Sequence, residues 1–525
     1  FFFHAHDAIR DPLWSRGLGD VYKRQVKHQV FAPARRDRLE KGSNLVDCVW
    51  IRKWAIKGSK VKSRMCSRGC FDKQKYSIER HSSTATRLSQ RLVISTGLCD
   101  GILYDPDGDT IDTESWDISA AFLQGLRYDE LARQARELGY EMRAPREVYI
   151  EPPENVWRHF RAIPGCPANL KIADHARGKF VLRCLSAIYG FVDAPLMFQL
   201  ALIHFLLKET GGYKSLLDDN SLYWTREIDG EQQLVLVLTA HVDDLQVTGA
   251  ERYRKQLHTL LTGRFGELKQ QRMPYTHTGI EIERFNADLV LCHQDKFISK
   301  LEPCVIKRGD DPARLLDARE KTLFRSLTCS CLWSAQTNLQ ELCSIVSLQS
   351  KLVTPTVSDL MQINAVIRRL KDPSERHGIY FHRLKPPFRI VTVSDASPPN
   401  KTTNFATEGV LVMMAEDRLS HPICDKQDFL EPSQVHLLGG KFHILIGLSN
   451  KASKVSQSTS HAETHSAAKT IPIGQVTALR ISEPELSIRH HGLSAYDLLE
   501  LQNSNHCPIP YDHYVDCMDL WELVC

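Results

Sequence analysis

At 525 residues the chain is too long for one hydrophobic core, and its length predicts about three or four domains. Hydrophobic residues make up 42% of it and charged residues 25%, the usual balance of a globular protein. No apolar run approaches the ~20 residues that span a membrane, which excludes a protein built on membrane-spanning helices. The fifteen cysteines include no C-x-x-C pair, so a zinc ribbon and a thioredoxin-like site are excluded. We expect reduced thiols in an intracellular protein.

The net charge of +4 is distributed unevenly along the chain. Residues 1–100 contain 21 Lys and Arg against 9 Asp and Glu, an excess of +12 that leaves −8 for the remainder. A basic leading section before an acidic remainder suits a polyanion-binding surface next to a metal-binding centre. A solvated basic face is the equally open alternative.

The first 30 residues carry little information about the fold. Residues 1–25 show no helical or strand periodicity. The string from Trp14 to Gln25 resembles translated sequencing-adaptor sequence. We therefore predict that residues 1–30 are unstructured and that this string is an artefact of sequence assembly.

A small basic hairpin is predicted next. Residues 45–56 and 61–69 mix apolar and polar residues as strands do, and residues 57–60 are typical of a turn. Residues 51–80 contain ten Lys and Arg against two acids. Such a ribbon can lie on a phosphate backbone or on a triphosphate.

The stretch from Trp116 to Gly125 is predicted to be a strand that ends in an acid and runs into a short helix. Asp117 would then lie at the end of the strand, near the N-terminus of the helix. This position suits a ligand of a cation, and it equally suits a helix N-cap.

Residues 126–147 are predicted to form a charged helix. Further on, residues 181–195 lead into an amphipathic helix over 196–207. Just before that helix, the turn at Tyr189 and Gly190 would allow a ligand to approach the backbone closely.

Two adjacent acids interrupt a strongly β-forming stretch, residues 234–249. Apolar and β-branched runs on either side of Asp243 and Asp244 predict a β-hairpin with the acids at its turn. Neighbouring carboxylates repel one another, which is tolerable in a solvated turn or around a divalent cation. These residues by themselves leave both interpretations open.

The second half is predicted to be helical before a final segment of strand and helix. Apolar residues at three- and four-residue spacing predict helices over 319–334, 339–352 and 358–370. A buried type of strand over 388–397 contains Asp395 near its end. Ser and Thr caps then open a helix within 456–468, which contains Glu463.

Four motifs occur in one order and at sensible spacing: Asp-Ile-Ser-Ala-Ala-Phe-Leu-Gln-Gly, Val-Tyr-Ile-Glu-Pro-Pro, Ile-Tyr-Gly-Phe-Val-Asp-Ala-Pro and His-Val-Asp-Asp-Leu. Together they resemble the reverse transcriptase of copia-type LTR retrotransposons. Thr278–Glu283 and Phe324–Leu327 resemble two further segments of that family, and the resemblance covers roughly residues 45–525. The family has Tyr or Phe where this chain has His241, a difference that bears on contacts to the primer end.

The resemblance implies an RNA-directed DNA polymerase that uses two cations per active site, Mg²⁺ or Mn²⁺, on the order of 3.5–4 Å apart. Asp117, Asp243 and Asp244 would be its catalytic and metal-binding carboxylates. The residues implied to contact the incoming nucleotide are Phe122 as a gate against 2′-hydroxyls, Tyr189 and Gly190 in the pocket, and Arg64 on the triphosphate.

The resemblance also implies partners and a location. The partners would be an RNA template, a DNA primer, an RNA–DNA hybrid and deoxynucleoside triphosphates, with no membrane. Protease, integrase and capsid segments of a polyprotein are expected to accompany the chain. It would work in a cytoplasmic virus-like particle, in the nucleus, or in both.

A second set of acids resembles the ribonuclease H domain of the same family. Ser-Asp-Ala at Asp395 and His-Ala-Glu at Glu463 match its segments in part. The resemblance implies that both acids and a third bind cations that cleave the RNA of an RNA–DNA hybrid. The third acid is predicted to be Asp516, with Asp497 and Asp512 as weaker candidates.

The predicted fold class is α+β: a right-hand polymerase with palm, fingers and thumb, followed by an α/β ribonuclease H-like domain. The predicted divisions are fingers and palm over 45–285, a helical thumb and connection over 286–385, and a truncated ribonuclease H-like domain over 386–525. Two alternatives stay open. One is a degenerate, catalytically dead relic that binds nucleic acid, and the other is a nuclease in which only the C-terminal domain is competent.

Overall fold

The computed structural model describes residues 13–56, 60–105, 108, 111–142, 146–153, 156–374, 377–398, 405–417, 441–490, 492–504 and 506–515. The chain forms two compact units. Unit 1 comprises Phe1–Thr84, Ile118–Gly212 and Thr259–Leu268, and unit 2 comprises Ala85–Asp117, Tyr213–His258 and Lys269–Cys525. Because each unit is assembled from several stretches of chain, the division predicted from sequence stays a prediction.

Helices and strands are mixed along the described residues, which confirms the predicted α+β class. The helices are α1 (Leu13–Lys27), α2 (Arg87–Gly97), α3 (Leu131–Glu137), α4 (Val156–Ala162), α5 (Ala194–His204), α6 (Glu251–Phe265), α7 (Asp295–Ile298), α8 (Ala318–Ser334), α9 (Leu342–Gln349), α10 (Val357–Leu370), α11 (Thr459–Arg489) and α12 (Ala495–Asn503). None of these described helices is both long and apolar enough to cross a membrane.

The strands are short and spread over the whole described chain. They are β1 (Phe31–Arg35), β2 (Leu45–Ile56), β3 (Lys60–Ser67), β4 (Asp112–Ile118), β5 (Tyr149–Glu151), β6 (Phe180–Cys184), β7 (Gly212–Lys214), β8 (Ser221–Ile228), β9 (Glu231–His241), β10 (Asp244–Gly249), β11 (Leu268–Gln271), β12 (Tyr275–His277), β13 (Ile280–Asn286), β14 (Leu289–His293), β15 (Ile379–His382), β16 (Phe388–Ala396), β17 (Thr407–Glu416), β18 (Phe442–Lys451) and β19 (Tyr511–Tyr514).

Unit 1 is built on a five-stranded sheet in the order β1-β6-β5-β2-β3. The predicted basic hairpin is confirmed, because β2 and β3 pair antiparallel with Ile51 opposite Arg64. The side chains of Trp157 and Phe160 on α4 are buried in the core of this unit. Burying an aromatic or aliphatic side chain of this size contributes about 1.5–3 kcal/mol.

The prediction that residues 1–30 are unstructured is wrong from Leu13, where α1 begins. Tyr22 on this helix is fully buried. Its ring packs edge-on against Trp50 and Phe160, with ring centroids 5.5 and 5.6 Å away. Gln25 is buried as well, so α1 is held by tertiary contacts with distant residues that the sequence analysis did not detect. The adaptor-like origin of the string stays a prediction.

The charged helix predicted over 126–147 is much shorter in the structure, because α3 ends at Glu137. Gly139 follows with φ of +80°, the left-handed conformation that commonly ends a helix. By contrast, α5 confirms a helix where one was predicted over 196–207, and Pro195 lies in its first turn. The prediction that this helix is amphipathic is wrong, because eight of its eleven residues are buried.

Three sheets are present in the described residues of unit 2. Their strand orders are β11-β4-β10-β9-β8-β7, β12-β13-β14-β15 and β18-β17-β16-β19. Helix α2 packs against β9 and β10 of the first sheet, so the strands that carry the predicted hairpin are covered on one face.

The three helices predicted in the second half are confirmed by α8, α9 and α10. Two of them begin with a capping box. In this motif the side chain of the N-cap residue accepts a hydrogen bond from the backbone N–H three residues later, and the side chain of that later residue accepts one from the backbone N–H of the N-cap residue. These boxes pair Asp317 with Glu320 and Thr356 with Asp359. Their apolar faces meet around the buried ring of Phe324.

The last sheet confirms the strand predicted over 388–397 and the helix predicted to open within 456–468. Strand β16 pairs antiparallel with β17 and parallel with β19, and α11 packs against β16. Ser458 caps α11 by accepting a bond from the backbone N–H of His461 at 3.1 Å.

Candidate active site on a carboxylate-bearing hairpin

The predicted hairpin is present and very tight. Strand β9 ends at His241 and β10 begins at Asp244, which leaves Val242 and Asp243 as a two-residue turn. Val242 has φ of +62°, a left-handed conformation that a β-branched residue rarely adopts. Such a conformation costs on the order of 1–3 kcal/mol and is concentrated at functional sites. The strained turn therefore marks this end of the sheet as a candidate site.

Two of the predicted carboxylates lie on neighbouring strands at that end. Asp117 on β4 is directly opposite Asp244 on β10. Residues opposite one another in an antiparallel pair point to the same face, with Cβ atoms about 4.5–5.5 Å apart. Asp243 adjoins them in the turn. The structure thus gathers the three predicted acids, and the direct partner of Asp117 is Asp244 instead of Asp243.

This grouping changes the acidity of Asp244. Burial raises the pKa of its carboxyl, and the negative charges of Asp243 and Asp117 raise it as well, to about 6. The neighbouring His241 and Lys269 act in the opposite direction. The end of the sheet therefore carries more negative charge than its surroundings compensate, which is the electrostatic condition that favours a bound cation.

The alternative that Asp117 is a helix N-cap does not fit the structure. The helical segment after β4 is a single 3-10 turn, Ala121–Leu123. Ala120 precedes it with φ of 59°, and no side chain caps it. The carboxylate of Asp117 therefore has no capping role there.

A buried carboxylate that the sequence analysis missed holds the same strand in place. Glu114 is fully buried and accepts a bond from the indole Nε1 of Trp116 at 2.8 Å. It also forms a buried ion pair with Arg254 on α6. Because side chains alternate along a strand, Glu114 and Asp117 point to opposite faces. Glu114 therefore positions the strand, and its signal was a carboxylate inside an otherwise strand-forming stretch.

His241 occupies the place where the resembled family has an aromatic residue. It lies directly opposite Asp244 in the hairpin, so its side chain is on the face that carries the carboxylates. Its Nδ1 is 3.4 Å from the carbonyl oxygen of Ala85. The imidazole is thus held at the edge of the acidic group.

The donor chemistry of the site fits Mg²⁺ or Mn²⁺, which prefer carboxylate oxygens. In the described part of the chain, no group of three or more His, Cys, Asp and Glu side chains is arranged to hold a metal ion. Mg²⁺ at nucleotide sites is usually bound through one or two carboxylates together with substrate phosphates. The donors at Asp117 and Asp244 therefore fit a cation that binds together with a nucleotide.

Three of the predicted nucleotide-binding residues lie together in unit 1. The rings of Phe122 and Tyr189 pack edge-to-face with centroids 5.4 Å apart. The exposed guanidinium of Arg64 lies over the Tyr189 ring, 5.5 Å from its centroid. Such a cation–π contact orients the guanidinium without neutralising its charge. Their binding of a nucleotide stays a prediction.

The structure gives a different reason for glycine at position 190 from the predicted one. Gly190 has φ of +97°, and a Cβ there would collide with the carbonyl oxygen of Ser67. The backbone N–H of Ser67 donates to the carbonyl of Tyr189 at 2.8 Å. The backbone of β3 therefore makes a close approach at this turn, and the approach of a ligand there stays a prediction.

The two acids of the ribonuclease H-like set that the structure describes are brought together. Asp395 is the exposed penultimate residue of β16, and Glu463 is buried near the start of α11. The backbone N–H of Ala396 donates to Glu463 Oε1 at 3.0 Å. The hydroxyl of Ser466 donates to the carbonyl of Asp395, also at 3.0 Å.

The third acid of that set is not among the described residues, since Asp516 lies outside them. The two weaker candidates have other partners. Asp512 forms an ion pair with Arg389, and Asp497 forms the capping box of α12 with Ser494. Both of these carboxylates are thus engaged in holding the fold.

No protein-family model matches the chain, and no curated protein matches it. Among solved structures it is similar to the foamy viral protease-reverse transcriptase dRH in complex with double-stranded DNA, at 10% identity and a TM-score of 0.45 over 96% of this chain and 69% of that one. It is also similar to apo telomerase from Candida tropicalis, at 10% identity and a TM-score of 0.31 over 68% and 62%. The native prototype foamy virus protease-reverse transcriptase follows at 9% identity and a TM-score of 0.26 over 93% and 72%. Because one fold hosts many activities, function has to be argued from the side chains of the site.

Proposed function

We propose that the chain is an RNA-directed DNA polymerase of the copia-type retrotransposon class, with Asp117, Asp243 and Asp244 as its catalytic carboxylates. One observation carries the proposal. Asp117 and Asp244 face one another across two antiparallel strands, beside a strained turn that contains Asp243. The motifs that resemble this family supply the same three acids independently.

In the proposed reaction the 3′-hydroxyl of the primer attacks the α-phosphorus of a deoxynucleoside triphosphate, and pyrophosphate leaves. Two bound Mg²⁺ or Mn²⁺ ions would supply Lewis acidity to the attacking and the leaving oxygens. Asp117 and Asp244 would hold them together with oxygens of the triphosphate, and Asp243 would add its charge from the turn. With a pKa of about 6, Asp244 is mostly ionised at neutral pH and available as a ligand.

The aromatic and cationic group of unit 1 is proposed to bind the incoming nucleotide. The exposed guanidinium of Arg64 would pair with phosphate oxygens, since planar guanidinium matches phosphate geometry. The ring of Phe122 packs against Tyr189 and so is held in one orientation, as a gate against a 2′-hydroxyl must be. Gly190 would act through the backbone turn that it makes possible.

A second activity is proposed for the C-terminal part of the chain: cleavage of RNA in an RNA–DNA hybrid. The buried Glu463 is tied to the residue after Asp395 by a backbone hydrogen bond, which supports a shared cation site. Asp516 is proposed as the third ligand. Glu463→Gln would remove this activity and leave DNA synthesis intact.

Primer extension on a poly(rA)/oligo(dT) template tests the polymerase. The parent protein should extend the primer with Mg²⁺ or Mn²⁺, and Asp244→Asn should reduce the rate by about 10²–10³-fold, as loss of one group that stabilises charge in a transition state does. The matched control is Asp229→Asn, because Asp229 lies in the exposed turn between β8 and β9 of the same sheet. Asp243→Asn should lose extension as well.

The outcomes separate the proposal from its rival. Extension by the parent and Asp229→Asn, but not by Asp244→Asn, supports catalysis at this site. Equal extension by all three proteins would refute the assignment of the carboxylates. No extension by the parent, with tight and salt-sensitive binding to the hybrid, would favour a folded relic that only binds nucleic acid.

A further inference from the structure

Two large aromatic rings are exposed on residues 68–80, the aromatic loop, which follows β3 in unit 1. Phe71 is 59% exposed and Tyr76 is 79% exposed. Single exposed apolar residues are ordinary, but here two large rings lie five positions apart on one short loop. Flat apolar groups of a ligand could cover both.

Positive groups flank both rings. The guanidinium carbon of Arg68 lies 5.2 Å from the Phe71 centroid, and this guanidinium is also ion-paired with Asp47. Tyr76 has Lys75 Nζ at 5.0 Å and the guanidinium carbon of Arg80 at 5.5 Å from its centroid. These distances are typical of cation–π contacts. The loop therefore presents apolar faces and positive charge side by side.

The loop carries an excess of positive charge, although Arg68 is paired with Asp47 outside it. It contains four Lys and Arg and two acids. One of the acids, Asp72, is buried and paired with Arg146 at 2.6 Å, so it does not offset the surface charge. The lysines and arginines at 73, 75 and 80 donate to backbone carbonyls, which leaves their charge unneutralised.

The backbone of the loop is fixed from inside. Asp72 Oδ1 accepts bonds from the side-chain amide of Asn44 at 2.8 Å and from the backbone N–H of Gln74 at 2.9 Å. Ile78 is buried at the far end of the loop. A loop that is anchored by buried groups and yet holds its rings in solvent is preorganised, so little conformational entropy is lost when a ligand covers it.

We propose that the aromatic loop binds single-stranded nucleic acid, with bases stacked on Phe71 and Tyr76 and phosphates against the cations beside Tyr76. Stacking platforms next to positive charge are how proteins hold single strands without reading sequence. A duplex is disfavoured as the ligand, because its bases are already stacked on one another. The proposal goes beyond the proposed polymerase and requires neither a metal ion nor catalysis.

The test is fluorescence anisotropy of the full chain with a labelled single-stranded RNA, the same sequence as single-stranded DNA, and a duplex, all in EDTA without nucleotides. Tyr76→Ala should weaken binding of both single strands by roughly 5- to 150-fold, the range for loss of one stacked base. Tyr76→Phe should bind as the parent does. Duplex binding should not change.

The chain offers a matched control in Tyr496 on α12, which is 69% exposed. Tyr496→Ala removes an equally exposed ring elsewhere and should leave single-strand affinity unchanged. Lys75→Gln should lower the slope of log affinity against log salt by about 0.7, the value for one phosphate contact to a single strand, whereas Tyr76→Ala should leave the slope as it is.

Three results would overturn the inference: no single-strand binding by the parent, equal binding by Tyr76→Ala and the parent, or an equal loss in Tyr496→Ala. Because Tyr76 is largely in solvent, its replacement does not endanger folding. Failure of primer extension with intact single-strand binding would refute the polymerase and leave this inference standing.

Discussion

Replacing Asp244 by Asn is expected to stabilise the metal-free protein at neutral pH. The pKa of this carboxyl is raised from 3.8 to about 6 in the folded chain, by burial and by the charges of Asp243 and Asp117. The unfolded chain ionises freely, and the folded chain resists ionisation. Asparagine keeps the size of the side chain and removes the charge that the fold resists.

The magnitude follows from the pKa shift. About two pKa units correspond to about 3 kcal/mol at most, and solvent screening of a half-buried group reduces this to about 1–2 kcal/mol. The cost is fully present above the folded pKa of about 6, and it fades as the pH falls to below 3.8, where both states hold the proton. The gain in Asp244→Asn should therefore be about 1–2 kcal/mol near pH 7.5 and about half of that near pH 5.

Urea unfolding in EDTA at both pH values measures the difference. Asp229→Asn is the control, since an exposed turn residue of the same sheet should change stability by less than about 0.5 kcal/mol. A loss of stability in Asp244→Asn would show that burial and repulsion do not act on this carboxyl. A gain in stability that is the same at both pH values would contradict the reasoning in the same way.

Two further changes test the backbone and the N-terminus. Val242→Gly should raise the free energy of unfolding by about 1 kcal/mol, because glycine accepts φ of +62° and the relief of strain exceeds its added entropy cost; destabilisation in a urea titration would mean that the turn is not strained. Tyr22→Ala should lower the free energy of unfolding by about 3–5 kcal/mol, as loss of a buried aromatic ring does; an unchanged urea midpoint would mean that α1 does not pack on the core.

Features set by neighbouring residues could be predicted from the sequence. The hairpin around Asp243 and Asp244 follows from two β-forming runs and a polar break, and both runs proved to be strands. The helices of the second half follow from apolar spacing, and their starts agree with caps such as Thr356. In these cases local propensity and tertiary packing favour the same structure.

Features set by contacts between distant residues could not be predicted from the sequence. Glu114 is a strand residue whose partners come from α6 and β11, so only the folded chain shows that it anchors the strand of Asp117. Gly190 faces the backbone of Ser67, more than a hundred positions earlier, and the sequence suggested a ligand there. Each of these outcomes required the tertiary structure.

The register of the hairpin decides which of two adjacent acids meets Asp117. Because side chains alternate, a turn one residue longer would exchange their faces. The two-residue turn places Asp244 opposite both Asp117 and His241, and leaves Asp243 at the tip. His241 lowers the pKa of Asp244 while both acids raise it, so the residue that departs from the family pattern offsets part of the repulsion in the site.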